Sequence, residues 1–230
     1  SVSISDDIVA VGAYNELPYA SAYLFRIENN GSATHLSSVT ASDKEVNDNF
    51  GKTVSQSVNT LVVGAQLSDP NGIIDAGSCY LYKLENNGST KFLSKITAPD
   101  MAAGDEFGRS ISQNGNIIAV GAHKADPDGI LNAGAAYLYR LESNGSTSLM
   151  SKVTAPDKAT GDRFGTSVSQ SGDLLAVGAY FSSPNGVTYA GAVYIYRIES
   201  DNSTTFLTKV TAPDKAQNDT LGHSISLTGN

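Results

Sequence analysis

The sequence predicts an all-β fold, a β-propeller of four-stranded antiparallel blades, and three observations carry that reading. Phe50-Gly51, Phe107-Gly108, Phe164-Gly165 and Leu221-Gly222 recur at intervals of 57 residues. Val-Gly-Ala returns at Val11, Val63, Val120 and Val177, with a first interval of 52 residues and 57 thereafter. Between these landmarks the apolar residues alternate with a period of two or run unbroken for four residues, and no helical period of useful length occurs. Self-similarity at a fixed period is the signature of stacked supersecondary units. The repeats fall at about residues 1–49, 50–106, 107–163 and 164–220, with an extra inner strand over 221–230, and form one continuous array. A solenoid of sheets is the alternative arrangement.

Each repeat reads as four strands. The first (Ser1–Ser3, Thr53–Ser55, Ser110–Ser112, Ser167–Ser169, and again Ser224–Ser226) alternates small hydroxyl residues with Val or Ile, which suits a crowded inner rim. The second, ending in Val-Gly-Ala, is apolar on both faces and should be covered on both. The third carries aromatic pairs on one face, Tyr23/Phe25, Tyr80/Tyr82, Tyr137/Tyr139 and Tyr194/Tyr196, to fill the layer between neighbouring sheets. The fourth, rich in Ser, Thr and Lys, has the composition of an exposed outer edge. Asn30-Gly31, Asn87-Gly88 and Asn144-Gly145 are hairpin turns between the third and fourth strands.

Because Ser224–Asn230 repeats the register of Ser1–Asp7, a closed ring of four would offer one inner position to two segments. The blades are then an arc of a larger ring, seven blades needing on the order of 400 residues, or the extra strand pairs with a neighbouring molecule. The chain starts inside a repeat with no signal peptide ahead of it, as expected of a piece processed or cut from something longer.

Composition narrows the partners. A net charge of −8 and a pI near 4.7 disfavour nucleic acid and anionic membranes, and no apolar run is long enough to span a bilayer. The single cysteine, Cys79, leaves no internal disulfide, and its repeat equivalents are Ala22, Ala136 and Val193, so it is a small core filler.

At the corner-plus-strand unit, Phe164-Gly165, then Val177-Gly178-Ala179, then Gly191-Ala192-Val193-Tyr194, the chain resembles the FG-GAP repeat of integrin α subunits, bacterial surface proteins and some fungal lectins. The Thr154–Asp157 segment resembles the bacterial version. The resemblance implies a seven-bladed propeller acting outside the cell in adhesion or recognition, without catalysis. It also implies a calcium loop between the first two strands, which the short Ser57–Asn59, Asn114–Asn116 and Ser171–Asp173 turns do not supply.

The long loops should gather at one end, where 15 of the 23 acids fall and make an acidic face for a basic partner or cations. Two of these loops, Asp69-Pro-Asn71-Gly72-Ile-Ile-Asp75 and Asp126-Pro-Asp128-Gly129-Ile-Leu-Asn132, set oxygens at positions 1, 3 and 7 around a Gly turn. Hard cations such as Ca2+ take that arrangement, and ordinary turns share it. The acid pairs before each corner (Asp43/Asp48, Asp100/Asp105, Asp157/Asp162, Asp214/Asp219) suit backbone bonding at the crossings between blades. Tyr14, Gln66, His123 and Tyr180, just after Val-Gly-Ala, differ between repeats and are the candidate contacts for a protein or glycan ligand. His35, His123 and His223 hold unrelated repeat positions, no nucleophile elbow or phosphate loop occurs, and an enzyme is not expected. The readings compared are an adhesion module, a lectin, and a structural protein joined head to tail through its terminal strands.

Overall fold

A computed structural model describes residues 1–228. The first blade is β1 (Val2–Ser5), β2 (Ile8–Ala13), β3 (Ser21–Ile27) and β4 (Ala33–Val39). The second is β5 (Phe50–Ser57), β6 (Thr60–Ala65), β7 (Ser78–Leu84) and β8 (Thr90–Ile96). The third is β9 (Phe107–Asn114), β10 (Ile117–Ala122), β11 (Ala135–Leu141) and β12 (Thr147–Val153). The fourth is β13 (Phe164–Ser171), β14 (Leu174–Ala179), β15 (Ala192–Ile198) and β16 (Thr204–Val210). Each sheet is antiparallel with its strands in sequence order.

β1 packs on β5, β5 on β9 and β9 on β13, whereas β1 and β13 share no packing face, so the blades stand as an open arc. Three apolar layers fill the spaces between successive blades. The middle one sets Val62, Cys79 and Leu81 of the second blade against Phe107, Val120 and Tyr137 of the third. β6, β10 and β14 are buried on both faces as expected, whereas β2 is not, because no blade precedes the first one in the arc; β1 is exposed there too, with Val2 at 69%, as are the outer strands along their edges.

The inner strands begin earlier than the sequence suggests. Phe50, Phe107 and Phe164 are the first residues of β5, β9 and β13, paired with Ala65, Ala122 and Ala179. The register then slips before Thr53, Ser110 and Ser167 resume the ladder. The Phe-Gly unit is thus a bulge within the strand rather than a corner ahead of it. Its glycine has a specific task. Gly108 sits at φ +92°, and a Cβ on Gly64 would lie 2.5 Å from the Gly108 carbonyl oxygen. The Val-Gly-Ala glycine of one blade thus meets the Phe-Gly glycine of the next, backbone against backbone, and neither can carry a side chain there.

The inner-strand serines have a second use besides smallness. Ser3, Ser55 and Ser112 accept hydrogen bonds through Oγ from the N–H of Gln56, Gln113 and Gln170 in the next blade, at 3.0, 2.8 and 2.9 Å. These backbone donors face the crowded rim, where no strand pairs with them. The terminal segment continues the pattern: Leu227 N–H donates to Ser169 Oγ at 2.8 Å, and Leu221 bridges Gly191. Residues 221–228 of the expected extra strand therefore lie in the inner slot beside β13, but they form no strand ladder. Residues 229 and 230 lie outside the described residues.

Candidate recognition face

The 2–3 and 4–1 loops gather at one end of the arc, tied by backbone bonds such as Gly104 N–H to Ile74 C=O at 2.9 Å and Gly161 N–H to Leu131 C=O at 2.9 Å. Most of its conserved-register acids have internal partners. Asp43, Asp100 and Asp157 each accept the tyrosine hydroxyl of the next blade through Oδ1, from Tyr80, Tyr137 and Tyr194 at 2.7, 2.9 and 2.8 Å. Each also accepts a lysine from that blade through Oδ2: Lys95, Lys152 and Lys209, at 2.7, 2.6 and 2.8 Å. Partial burial pushes these carboxyls up, but the lysine and tyrosine donors outweigh it and hold all three below their ordinary value.

The second acid of each pair is different. Asp48, Asp105, Asp162 and Asp219 accept the N–H three residues before them, at 3.1, 2.8, 2.9 and 2.6 Å. Burial raises Asp105 and Asp162, and lifts Asp48 to about 6, each only partly offset by that N–H. The acidic face is therefore in good part a bonded scaffold, with Glu45 and Asp214 among the acids left exposed.

The candidate cation loops are closed by their first residue. Asp69 Oδ1 takes the N–H of Asp75 at 2.7 Å, and Asp126 Oδ1 takes that of Asn132 at 2.6 Å. Ser183 Oγ does the same for Tyr189 at 3.1 Å. Asn71 and Asp128, with φ of 57° and 56°, sit in the left-handed turn, and Asp128 pairs with Lys158 at 3.0 Å. Among the described residues no three His, Cys, Asp or Glu side chains converge as a metal-binding group.

The residues after Val-Gly-Ala lie on the inner rim of this face, and three of the four are brought together. What joins them is the residue before each Phe-Gly, held at positive φ, as in Glu106 (56°) and Arg163 (57°). Gln66 Nε2 donates to Glu106 Oε2 at 3.3 Å, and Lys124 Nζ bonds Glu106 Oε1 at 2.5 Å. Arg163 reaches His123 Nε2 at 3.5 Å and the Tyr180 hydroxyl at 3.4 Å. Tyr180 also packs edge-on against His223, centroids 5.4 Å apart. Tyr14 stands apart, with Lys52 Nζ 3.9 Å above its ring.

His123 is 3% exposed. Burial, with Arg109, Arg163 and Lys124 adding to it, pushes its pKa down to about 3. It is therefore neutral near neutral pH, and its 3.7 Å approach to Glu106 Oε2 is not an ion pair. Nε2 can then accept from Arg163. The sequence places Glu106 and Arg163 only in the charge balance of the loop face and does not join them to His123 in a buried cluster. They vary between repeats (Asn49, Glu106, Arg163, Thr220) as the flagged positions do, and that variation was the available signal.

A cleft of about 450 Å³ opens between the third and fourth blades, lined among others by Asp157, Thr160, Phe181, Asn185, Tyr189 and Lys209. Its counterpart between the first two blades, about 320 Å³, is lined by Asp43, Asp69, Pro70, Asn71, Lys95 and Thr97 and holds no aromatic ring.

The sequence profile of the FG-GAP repeat matches residues 34–82, 91–139 and 147–196. No curated protein matches the chain. Among solved structures, the crystal structure of a protein from Lactobacillus plantarum is similar, with a TM-score of 0.61 at 16% identity. The match covers 91% of this chain and 56% of that one, so the chain spans little more than half of its length. At that identity the likeness speaks for the fold alone. Each matched unit begins on an outer strand and ends on the third strand of the next blade, so it contains an Asp and the Tyr that bonds it across the junction. With more than half of its length in three such units, the chain belongs to the FG-GAP repeat family.

Proposed function

We propose that the chain is a non-catalytic recognition module that meets a protein or glycan partner outside the cell through its loop face. One observation carries this reading. On a scaffold whose Tyr–Asp and Lys–Asp junction bonds recur, the side chains just after Val-Gly-Ala (Tyr14, Gln66, His123, Tyr180) and just before Phe-Gly (Asn49, Glu106, Arg163, and Thr220 before Leu-Gly) vary between blades. The shared junction bonds need no such variation; Tyr14, Asn49, Arg163, Tyr180 and Thr220 are part-exposed and available to a partner, while Gln66, Glu106 and His123 lie buried and support them. Family membership supports the setting, since these repeats are frequent in extracellular proteins, and no helix of the described residues is long and apolar enough to cross a membrane.

The test is a protein and glycan array probed with the labelled chain. Replacing exposed loop-face acids (Glu45→Lys with Asp214→Lys) should abolish or redirect binding. Replacing acids at the opposite end (Asp6→Lys with Glu28→Lys) should not. Binding that follows the second pair and ignores the first overturns the proposal.

The head-to-tail alternative fares worse on the geometry of the two ends. The leading face of the first blade has Phe25 and Ser38 where interior blades have the bonding Tyr and Lys, and its Tyr23 hydroxyl donates to Glu16 at 2.5 Å. If that face met Asp214 and Thr211 of another copy, Phe25 could not repeat the bond that Tyr82 gives to the Thr40 carbonyl at 2.9 Å, Ser38 could not repeat the lysine pair, and Tyr23 would first have to leave Glu16.

A further inference from the structure

We propose that the cleft between the third and fourth blades is a carbohydrate site, with Tyr189 as the platform for the pyranose ring of a neutral sugar. This rests on the recognition reading above and names a ligand class for one part of that face.

The aromatic lining of this cleft is not repeated in the equivalent loops of the second and third blades. Phe181 and Tyr189 stand at repeat positions occupied by Leu67 and Asp75 in the second blade and by Lys124 and Asn132 in the third. The two rings lie 4.8 Å apart at 37°, and Tyr180 packs behind Phe181 at 3.9 Å. Arg163 stands 5.3 Å from the Phe181 ring centre. Three aromatic residues and a guanidinium thus brace one another, yet Tyr189 is still 44% exposed at the mouth. A large ring held on a rigid support and left open to water is a binding feature rather than a packing one.

The remaining walls are polar, and their charged groups are bonded internally: Asp162, 5% exposed, accepts the Ala159 N–H at 2.9 Å, and Asp157 is paired with Lys209. Asp157 has one oxygen on the Tyr194 hydroxyl and the other on Lys209, and Lys209 also stands 3.5 Å from Ser182 Oγ. Thr160 and Asn185 add a hydroxyl and an amide. A pyranose has the complementary surface, an apolar C–H face with a rim of hydroxyls that both donate and accept. A charged ligand would find no unpaired charge in the Asp157–Lys209 pair. A proline-rich peptide would want further aromatic ridges along the groove, and beyond Phe181 and Tyr189 the lining has no other aromatic ring.

Saturation-transfer NMR on the whole chain, with the methyl glycosides of glucose, galactose, mannose and N-acetylglucosamine as probes, tests the site. Transfer should reach the ring protons of at least one glycoside. Tyr189→Asn, which installs the residue the third blade carries at this point in the turn, should weaken that binding about tenfold, the loss of one good stacking contact. Thr160→Val, exposed and away from any junction bond, should weaken it while leaving thermal unfolding unchanged. No transfer from any glycoside, or transfer undiminished in Tyr189→Asn, overturns the proposal, as does Tyr189-dependent binding of a proline-rich peptide with none of a sugar. If the glycosides fail while the array signal still follows Glu45 and Asp214, this site falls and the recognition reading stands. If both fail, both fall.

Discussion

The interior junctions and the two end faces use the same repeat positions to opposite effect. Val153 lies between the third and fourth blades at 3% exposure, while its equivalent Val210, on the trailing face of the fourth, is 45% exposed. Phe107 and Tyr137 meet edge-on at 5.5 Å inside the arc, and Phe164 and Tyr194 repeat that geometry. At the last corner Leu221 replaces the Phe. Tyr137 donates to Asp100 across a junction, whereas Tyr23 on the leading face donates to Glu16 of its own blade. The difference locates stability in the contact between sheets: a blade is a half-finished object, and its strands acquire a core only when a neighbour closes over them.

Substitutions at paired positions should break this comparison if it is wrong. The largest effect is expected at the glycine contact. In Gly121→Ala the new methyl would run into the Gly165 carbonyl of the next blade and into Ser110 Oγ. A cost of about 3 kcal/mol or more, or failure to fold, should appear in urea unfolding. Val153→Ala should follow at about 2 kcal/mol, with Val210→Ala well under about 1 kcal/mol by the same assay. Equal losses at Val153 and Val210 would mean that the trailing face is as well packed as the interior. Next comes the cross-blade hydroxyl: Tyr137→Phe should cost about 1 kcal/mol, because Asp100 keeps Lys152 and part of its hydration, while Tyr23→Phe should leave the midpoint where it is.

These junctions are also where the sequence was most legible. Phe-Gly, Val-Gly-Ala, the tyrosine pairs and the acid pairs recur because each junction asks for the same backbone approach and the same bonds. A single chain therefore displays Val-Gly-Ala and the acid pairs four times, and Phe-Gly and the tyrosine pairs three times. The position of the bulge was not legible, because a positive-φ Gly reads equally as a corner or as an irregularity within a strand. Charge was legible and its partners were not: the acids before each Phe-Gly announced an acidic face, but only the fold shows Lys95, Lys152 and Lys209 arriving from the next blade. The Glu106–His123–Arg163 cluster was hidden for the converse reason. Its members come from two adjacent blades and none recurs, so neither period nor motif ties one to another. Phe181 and Tyr189 are not legible for a like reason: they replace Leu67 and Asp75 or Lys124 and Asn132 in a single loop, and nothing in the period says that two such substitutions will meet.

The smallest expected effect concerns pH, and it separates the two members of each acid pair. Asp43, Asp100 and Asp157 are held below their ordinary value, so they stabilise the fold above about pH 4 and lose that contribution as pH falls through their folded values. His123, neutral down to about 3, acts in the same direction, its contribution being lost as pH falls from about 6.5 towards 3. Asp48 runs the other way. With a folded pKa of about 6, the native state takes up a proton between about pH 6 and 4 that the unfolded chain does not, so this residue adds stability as pH drops through that window and withholds it above. Asp48→Asn keeps a side-chain oxygen for the Glu45 N–H and removes the charge. Its midpoint should therefore exceed wild type at pH 7 by an amount under about 1 kcal/mol, since water reaches part of the site, and the difference should close by pH 4.5. Asp100→Asn should show the opposite sign, weaker than wild type at pH 7 and converging with it only in stronger acid. Two parallel pH profiles would mean that the acids before Phe-Gly form one undivided charge patch, rather than one carboxylate that ties the blades together and a second that holds only its own loop.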